Sequence, residues 1–304
     1  MEISKKQKIG KRKPINKWAV AFIIVGLFPT ISHLLIFWAG VQLTGLVQSF
    51  QEYPTNGFTF SNYVRAIRWF FDSSSVLGQG LINTTKFFVT GLVGIFLAMY
   101  AAYMLYKKMA GSRFVRTTLY LPSAISGYML VTLYMQILTS NGAVMSFLNG
   151  VLHLNIPTPL IVEEAMGMMI FYMLWSSLGG GLIVWFGAMG RIPEDLIEYG
   201  RLEGIGAVGE FFKVIVPLIW PTFVTIITLN CVGFFGSDGP VFLFTQGKYG
   251  TTTIGYWLFE IVYNGDVSNY GFAMSVGWVL TFATVPLVVI GRWVTRRFGQ
   301  EVEY

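Results

Sequence analysis

The sequence predicts an all-α integral membrane protein with six transmembrane helices, and three observations support this fold class. Of its 304 residues, 54% are hydrophobic and only 12% are charged, whereas a soluble domain is about one-quarter charged. Six apolar segments are each long enough to cross the hydrocarbon layer, which takes about 20 residues. The basic residues collect in alternate intervals between these segments, as in membrane proteins with a fixed orientation.

The six predicted spans follow one another at residues 18–46, 82–106, 117–139, 164–189, 216–236 and 271–294. The first is the least regular, because Pro29, Ser32 and His33 interrupt it, yet it is long enough to cross. It is also longer than the apolar core of a secretory signal, about 7–15 residues, so we expect it to be retained.

The positive charges predict which side of the membrane each loop occupies. Of the 21 lysines and arginines, 17 fall at the termini and in alternate loops, and only Arg65, Arg68, Lys86 and Lys248 fall on the other side. Cytoplasmic loops carry the excess of basic residues, so both termini are predicted to be cytoplasmic. This distribution accounts for the net charge of +6 without nucleic-acid binding.

The spans divide the chain into five predicted parts. They are a cytoplasmic basic arm (1–17), the first transmembrane helix (18–46), an extracytoplasmic connection (47–80), a core transmembrane domain (81–295) and a cytoplasmic tail (296–304). The outer connections are rich in Gly, Asn, Thr and Pro, which predicts turns and short helices rather than a folded outer domain.

The sequence lacks the residues that several kinds of chemistry require. The single cysteine, Cys231, allows neither an internal disulfide nor a multi-cysteine metal cluster, and we predict no metal site and no catalytic residue. A G-x-x-x-x-G-K-[S/T] phosphate loop does not occur, so we expect neither ATP nor another cofactor to bind this chain. A membrane enzyme is disfavoured: His33 and His153 are predicted at different depths, and Glu163 and Glu164 suit the dipole of a helix start.

An ion-coupled secondary transporter or channel of six spans is the alternative function. Proton relays need ionisable residues inside the spans, and the span interiors are nearly empty of them. His33 is a lone histidine, and Lys86 is close enough to the outer end of its span to reach the interface. We therefore expect the energy for transport to come from a partner.

A charged stretch, EYGRLEGIGAVGEFFKVIVP at residues 198–217, interrupts the apolar chain on the predicted cytoplasmic side. Pro193 and the two acids after it suit a helix start. Apolar residues then recur at helical spacing: Ile192, Leu196, Tyr199 and Leu202. Gly204 and Gly206 permit a sharp turn, and a second helical piece leads to Pro217. The acidic polar face favours contact with protein over an interfacial position on lipid.

This stretch resembles the cytoplasmic loop of binding-protein-dependent ABC importer permeases, whose pattern is E-A-A-x-x-x-G, commonly with an acid before the glycine. The matching positions are Glu198, Glu203, Gly204, Phe211 and Pro217. The chain departs from the pattern where Tyr199 and Gly200 replace the alanine pair and Ile205 replaces the alanine after the glycine.

Other stretches are similar to the carbohydrate-uptake branch of that family, which includes maltose and glycerol-3-phosphate permeases. They are FTFSNYVRAI, LINTTKFF, FVRTTLYLPSAIS, DGPVFLFT and NYGFAMSVGWVL, and together they cover about residues 58–295. The resemblance implies a type I ABC importer transmembrane fold with a cytoplasmic coupling helix in loop 191–216. It also implies the cell (inner) membrane of a bacterium or archaeon.

A permease of this kind forms half of the membrane pathway for a carbohydrate and is not itself an enzyme. The resemblance implies four kinds of partner: a second homologous permease, two ATPase subunits that bind ATP and Mg, an extracytoplasmic solute-binding protein, and membrane lipid. The residues implied in ATPase coupling are Glu198, Tyr199, Arg201, Leu202, Glu203 and Gly204.

Candidate residues for the substrate pathway are polar or aromatic and lie within spans, since sugars bind through their hydroxyl groups and stack on aromatic rings. They are Tyr128, Trp175, Ser176, Thr228 and Asn230. Asn230 costs most to expose to lipid and is expected to face the bundle or the pathway. The serine and threonine have an alternative, because such side chains often bond their own helix backbone. The three glycines at 179–181 are expected to be flexible.

Overall fold

The computed structural model describes residues 17–55, 57–107, 111–154, 162, 164–265 and 267–298. The predicted basic arm up to residue 16, Glu163 and residues 299–304 of the predicted tail lie outside the described residues. Within the described ranges the chain is mostly helical, as its apolar composition predicts.

The α-helices in chain order are α1 (Lys17–His33), α2 (Val41–Ser49), α3 (Ser61–Phe71), α4 (Val76–Tyr106), α5 (Ser112–Ala124), α6 (Gly127–Ile137), α7 (Ala143–Met145), α8 (Ala165–Met189), α9 (Glu194–Leu202), α10 (Ala207–Glu210), α11 (Val216–Leu218), α12 (Trp220–Val232), α13 (Val241–Phe244), α14 (Ile254–Tyr263) and α15 (Tyr270–Phe298). Strands β1 (Gln51–Glu52) and β2 (Gly57–Phe58) pair antiparallel between α2 and α3, with Gln51 opposite Phe58. Short π-helical pieces lie at Leu34–Gly40, Ser146–Val151 and Phe211–Ile215, and 3-10 turns at Phe234–Gly236 and Val267–Asn269.

Four helices in the described part of the chain are long and apolar enough to cross a membrane: Val20–Ser49, Val76–Tyr106, Ala165–Met189 and Val267–Val294. A fifth candidate is a bent pair, Ala207–Leu218 and Trp220–Val232, with an angle of 75° between its halves. Prolines stand on both sides of this bend, at Pro217 and Pro221. A proline is accepted at the start of a helix but cannot continue the hydrogen bonding of the turn before it.

The structure differs from the prediction at residues 117–139, which do not form one continuous helix. α5 ends at Ala124 and α6 begins at Gly127, while Ile125 and Ser126 between them have extended backbone, with ψ of 143° and 134°. Pro122 near the end of α5 lacks the N–H that a continuing helix would use. The apolar composition of this segment indicates burial in the membrane but does not determine whether the helix is continuous.

α4 and α8 form the central pair of the fold and approach each other closely at glycines. A Cβ added at Gly181 would lie 2.7 Å from an alanine side chain of α4, and one added at Gly94 would lie 2.8 Å from the Ser177 hydroxyl oxygen. α5 also crosses α8 closely, since a Cβ at Gly179 would lie 2.2 Å from the Leu119 carbonyl oxygen. Small residues of this kind let membrane helices pack. Gly179 and Gly181 are therefore packing positions.

Three buried clusters fill the fold. The first joins α4 and α8 to the segment from α9 to α12, and its large members include Met99, Tyr103, Trp185, Ile197, Phe211 and Ile215. The second joins α4, α6, α8 and α13 through Phe87, Tyr134, Met169, Tyr172 and Phe244. The third joins α3, α4, α14 and α15 through Ala66, Leu77, Ile254 and Phe272. The predicted cytoplasmic loop is thus packed onto the membrane helices rather than held away from them.

Candidate coupling site and substrate pathway

The charged stretch folds into a short helix, a glycine turn and a bent continuation. α9 ends at Leu202, and the Ile205 N–H donates to the Gly200 carbonyl at 3.1 Å, a bond that closes the helix end. Gly204 has φ of +76°, a left-handed conformation that side chains disfavour. Gly206 then has extended backbone and leads into α10. The sequence predicted two short helical pieces joined by a turn at these glycines, and the structure has α9 and α10 on either side of them.

The inward side of α9 is tightly packed. Ile192 and Ile197 are buried in the first cluster, beside Phe211 and Ile215 of the continuation. Gly200 is buried too, and a Cβ added there would lie 3.6 Å from the Val214 side chain, an ordinary van der Waals distance. An alanine methyl would therefore fit at Gly200, so this departure from the family pattern changes little.

The outward side of α9 carries an apolar sector formed by Leu196, Tyr199 and Leu202, which recur at every third position. Tyr199 is 67% exposed and Leu202 is 83% exposed. The spacing predicted one apolar face including Ile192, and the structure divides it: Ile192 points into the cluster and the other three point outward. Exposed apolar side chains grouped on a charged helix are typical of a protein interaction surface.

An ion pair fixes this segment to the end of α4. The Lys107 ammonium lies 3.0 Å from Oε2 of Glu210, whose side chain is only 3% exposed. The Tyr103 hydroxyl donates to the Ala207 carbonyl at 2.9 Å, and the Tyr103 and Phe211 rings are 5.1 Å apart. Partial burial acts to lower the pKa of Lys107, but the hydrogen bonds to Glu210 and Tyr103 outweigh it and raise that pKa.

Sequence reasoning did not identify Glu210 as the residue that pairs with Lys107. Its signal was an acid followed directly by two phenylalanines, at the same membrane side as the lysine that ends the second predicted span. The implied coupling residues Glu198 and Glu203 are exposed, and Gly204 forms the turn. Arg201 lies in α9, but its side chain is outside what the structure describes.

Asn230 lies against the middle of α4. A Cβ at Gly91, the midpoint of that helix, would lie 3.4 Å from the Asn230 amide nitrogen. Oδ1 of Asn230 is buried and has no hydrogen-bond partner among the described residues. An amide at this depth is costly in lipid, and the structure turns it toward the bundle.

The other candidate pathway residues differ in their local contacts and exposure. The Trp175 ring lies 6.3 Å from the rings of Tyr134 and Tyr172, in an aromatic group between α6 and α8. The Ser176 hydroxyl donates to the Met173 carbonyl (3.3 Å), and the Thr228 hydroxyl donates to the Val224 carbonyl (2.7 Å). Both therefore bond their own helix backbone, which was the alternative to a role in the pathway. Tyr128 is exposed at the start of α6.

The ionisable residues expected to matter for an ion-coupled carrier have apolar or neutral neighbours. The His33 ring packs 5.2 Å from the ring of Phe37, and the Lys86 ammonium lies 3.4 Å from the Asn83 side-chain oxygen. Neither forms an ion pair within the described residues. In the same part of the chain, no three His, Cys, Asp or Glu side chains come together as a metal site.

Comparison with known proteins gives a family and several relatives. Residues 92–304 match the family of binding-protein-dependent transport system inner membrane components. The chain is 23% identical over 303 residues to the arabinooligosaccharides transport system permease protein AraP of Halalkalibacterium halodurans, covering 96% of this chain and 89% of that protein. It is 25% identical over 283 residues to the sn-glycerol-3-phosphate transport system permease protein UgpA of Shigella dysenteriae serotype 1, covering 90% and 93%.

Solved structures share the fold. One is the crystal structure of a bacterial ABC transporter involved in the import of the acidic polysaccharide alginate, with a TM-score of 0.78, 20% identity, and coverage of 93% of this chain and 98% of that chain. Another is a bacterial alginate ABC transporter in complex with an alginate pentasaccharide-bound periplasmic protein, with a TM-score of 0.78, 21% identity, and coverage of 93% and 96%. Since the family match spans more than two-thirds of the sequence, the chain belongs to the binding-protein-dependent transport system inner membrane components, the permeases of ABC importers.

Proposed function

We propose that this chain forms half of the membrane pathway of a carbohydrate importer and that α9, with the turn at Gly204, is its coupling helix. The observation that carries the proposal is the outward apolar sector of Leu196, Tyr199 and Leu202 on a segment fixed to the membrane helices. Exposing such a sector to water is unfavourable, and covering it with a partner lowers the free energy of the system. The partner that fits is an ATPase subunit docking from the cytoplasm.

Two ATPase subunits supply the energy in this proposal, one for each permease. ATP and Mg bind to those subunits, and this chain holds no cofactor or metal. The sequence supports this division, because it has no phosphate-binding loop.

The coupling segment is suited to act as a lever. Movement of α9 passes through the Gly204 turn to α10, and the Lys107–Glu210 pair ties α10 to the end of α4. The same segment continues through the 75° bend into α12. A push on α9 therefore acts on α4 and α12 together, which couples two distant sites through one packed element.

A second homologous permease is the proposed neighbour of the first membrane helix. In the Val20–Ser49 span, the most apolar window has none of its residues buried inside the chain. A groove near its predicted outer end is lined by the small or polar residues Gly40, Thr44, Gly45 and Gln48, together with Ile36, Val41 and Met274. Small and polar residues of this kind favour helix–helix contact over lipid.

Six spans result if α5 and α6 cross as one broken helix and α10 to α12 cross as one bent helix. The break at Ile125–Ser126 removes helical hydrogen bonds. Inside a membrane such backbone is tolerated only within protein or beside a water-filled cavity, which supports a position along the pathway. An even number of spans and the 17 basic residues on one side support two cytoplasmic termini.

A carbohydrate is the proposed cargo, delivered by an extracytoplasmic solute-binding protein. Relatives named for arabinooligosaccharide transport and solved importers of alginate support this class. Trp175 and its aromatic neighbours offer rings on which sugars stack. We propose that the pathway is lined by Tyr128, Trp175, Ser176, Thr228 and Asn230.

A pair of charge substitutions tests the docking surface. Tyr199→Asp and Leu202→Asp should reduce co-purification of the ATPase subunits with this chain, because each places a carboxylate in the apolar sector. Leu154→Asp is the matched control, since Leu154 is also exposed but lies in a predicted outer connection. Unchanged co-purification in both α9 variants, with normal insertion of the chain, would reject α9 as the ATPase contact.

A further inference from the structure

Helix α3 is tied at its beginning to the end of the first membrane helix. The Asn62 side-chain amide donates to the carbonyl oxygens of Ser49 (3.2 Å) and Gln51 (2.9 Å). The Tyr63 hydroxyl and the Ser49 hydroxyl lie 2.6 Å apart. The first turns of α3 therefore sit where the chain leaves the membrane after Ser49.

The other end of α3 is tied to the beginnings of two more membrane helices. The Ser75 hydroxyl, which caps α4, donates to the Trp69 carbonyl. The Trp69 ring lies 5.3 Å from the ring of Phe272 at the start of α15, and the Arg65 guanidinium lies 4.1 Å from the same ring. Because α3 bridges the ends of three membrane helices, it runs along the membrane surface rather than away from it.

The part of α3 that faces away from the protein is divided into an apolar and a basic sector. At 100° per residue, Val64, Ile67 and Phe71 fall within about 60° of one another, and all three are exposed. Phe71 is 88% exposed, more than any other large apolar side chain in the described part of the chain. Arg68 and Ser61 follow in the adjoining sector and are also exposed.

We propose that α3 is an interfacial anchor that binds phospholipid of the leaflet it borders, with Val64, Ile67 and Phe71 among the acyl chains and Arg68 at the phosphates. An apolar sector beside a basic one, on a helix in the membrane plane, is the pattern of helices held at the interface. Arg68 forms no ion pair with another described residue, so its charge is available to a phosphate.

Aromatic side chains next to α3, at the end of the first membrane helix, favour lipid over a protein partner. The exposed rings of Phe58 and Phe60 pack on each other and on Phe50, next to the end of the first membrane helix. Aromatic residues collect at membrane interfaces, where rings occupy the headgroup region. α3 and this aromatic group form one continuous border around the ends of the membrane helices.

Site-directed fluorescence tests this placement without measuring transport. Ile67→Cys and Phe71→Cys are made in a Cys231→Ala background, and Ser61→Cys, on the basic side of the same helix, is the matched control. Each full-length variant is labelled with an environment-sensitive dye and placed in nanodiscs of phosphatidylglycerol and brominated phosphatidylcholine. We expect blue-shifted emission and several-fold stronger quenching at positions 67 and 71 than at 61.

Two outcomes would overturn the proposal. Equal quenching at 61, 67 and 71 would show that the apolar sector does not enter the lipid. Weak quenching at 67 and 71 together with protection from an aqueous quencher would show that protein covers this face. Because the readout is position and not uptake, failure here leaves the proposed importer function standing.

Discussion

Glu210 and Lys107 differ in burial: the Glu210 side chain is buried, and the Lys107 side chain is partly exposed. The Lys107 side chain is 22% exposed, so water reaches it if Glu210 is neutralised, whereas Glu210 is 3% exposed. Glu210→Gln should therefore cost about 1 kcal/mol, and Lys107→Met should cost about 3–5 kcal/mol because it leaves a buried charge without its cation. Thermal unfolding of the purified variants in detergent measures both, and equal losses would contradict this asymmetry.

Gly204 is required for its backbone conformation rather than for space. A Cβ there meets nothing within 4 Å, but φ is +76°, and an L-residue in that region costs about 1–2 kcal/mol. Gly204→Val should destabilise the turn and lower the ATP hydrolysis coupled to uptake. Gly206→Ala is the matched control, since Gly206 has equally open space and φ of −67°. Normal coupled uptake in Gly204→Val would count against the lever.

We expect the stability of the fold to depend on pH through the buried carboxyl group of Asp238. Burial raises the pKa of this carboxyl above its usual 3.8, although hydrogen bonds from Thr253 and Gly255 oppose the shift. A group whose pKa is raised by folding holds its proton more tightly when folded, so the contribution to stability is present at low pH and lost as pH rises through the raised pKa. Asp238→Asn should therefore reduce the fall in unfolding temperature between acidic and neutral pH. An unchanged pH profile would contradict this role.

At the scale of single residues, the sequence predicted the positions where backbone chemistry is restrictive. Gly204 was identified because a glycine six residues after an acid matches a known pattern, and its positive φ agrees with that role. Glu210 was missed, because its partner Lys107 is 103 positions away and no local spacing links them. Asn230 was expected to face the bundle from the cost of its amide in lipid, and it does.

The contact between α5 and α8 depends on Gly179 more than on the next residue, Gly180. A Cβ at Gly179 would meet a backbone carbonyl at 2.2 Å, which cannot move away without shifting α5, whereas Gly180 has open space. Gly179→Ala should lower the unfolding temperature or the yield of inserted protein, and Gly180→Ala should change neither much. Similar behaviour of the two variants would show that α5 and α8 are not held at this crossing.

Elements were predictable where periodicity and composition agree, and less so where a break depends on packing. The long apolar runs gave α4, α8 and α15 close to their observed bounds. The break between α5 and α6 was not predicted, because Pro122 is compatible with either a kinked helix or a helix end. The π-helical pieces, such as Phe211–Ile215, likewise have no signature in the apolar pattern.

For the whole molecule, the uncovered first membrane helix and the outward sector of α9 suggest a chain that is incomplete alone. The charge asymmetry, the family match and the fold all agree with an importer permease. Composition excluded a soluble protein, and the empty span interiors disfavoured ion coupling. The cargo and the pathway could not be predicted as closely, since Ser176 and Thr228 use their hydroxyl groups within their own helices.

We propose that ATP hydrolysis in a partner, and not an ion gradient through this chain, drives uptake. The most direct measurement is uptake of a labelled oligosaccharide into proteoliposomes, with the assembled importer in one preparation and this chain alone in another. We expect uptake only by the assembly, only with the solute-binding protein outside and ATP at the α9 side. Uptake by this chain alone under an imposed proton gradient, without ATP, would contradict it.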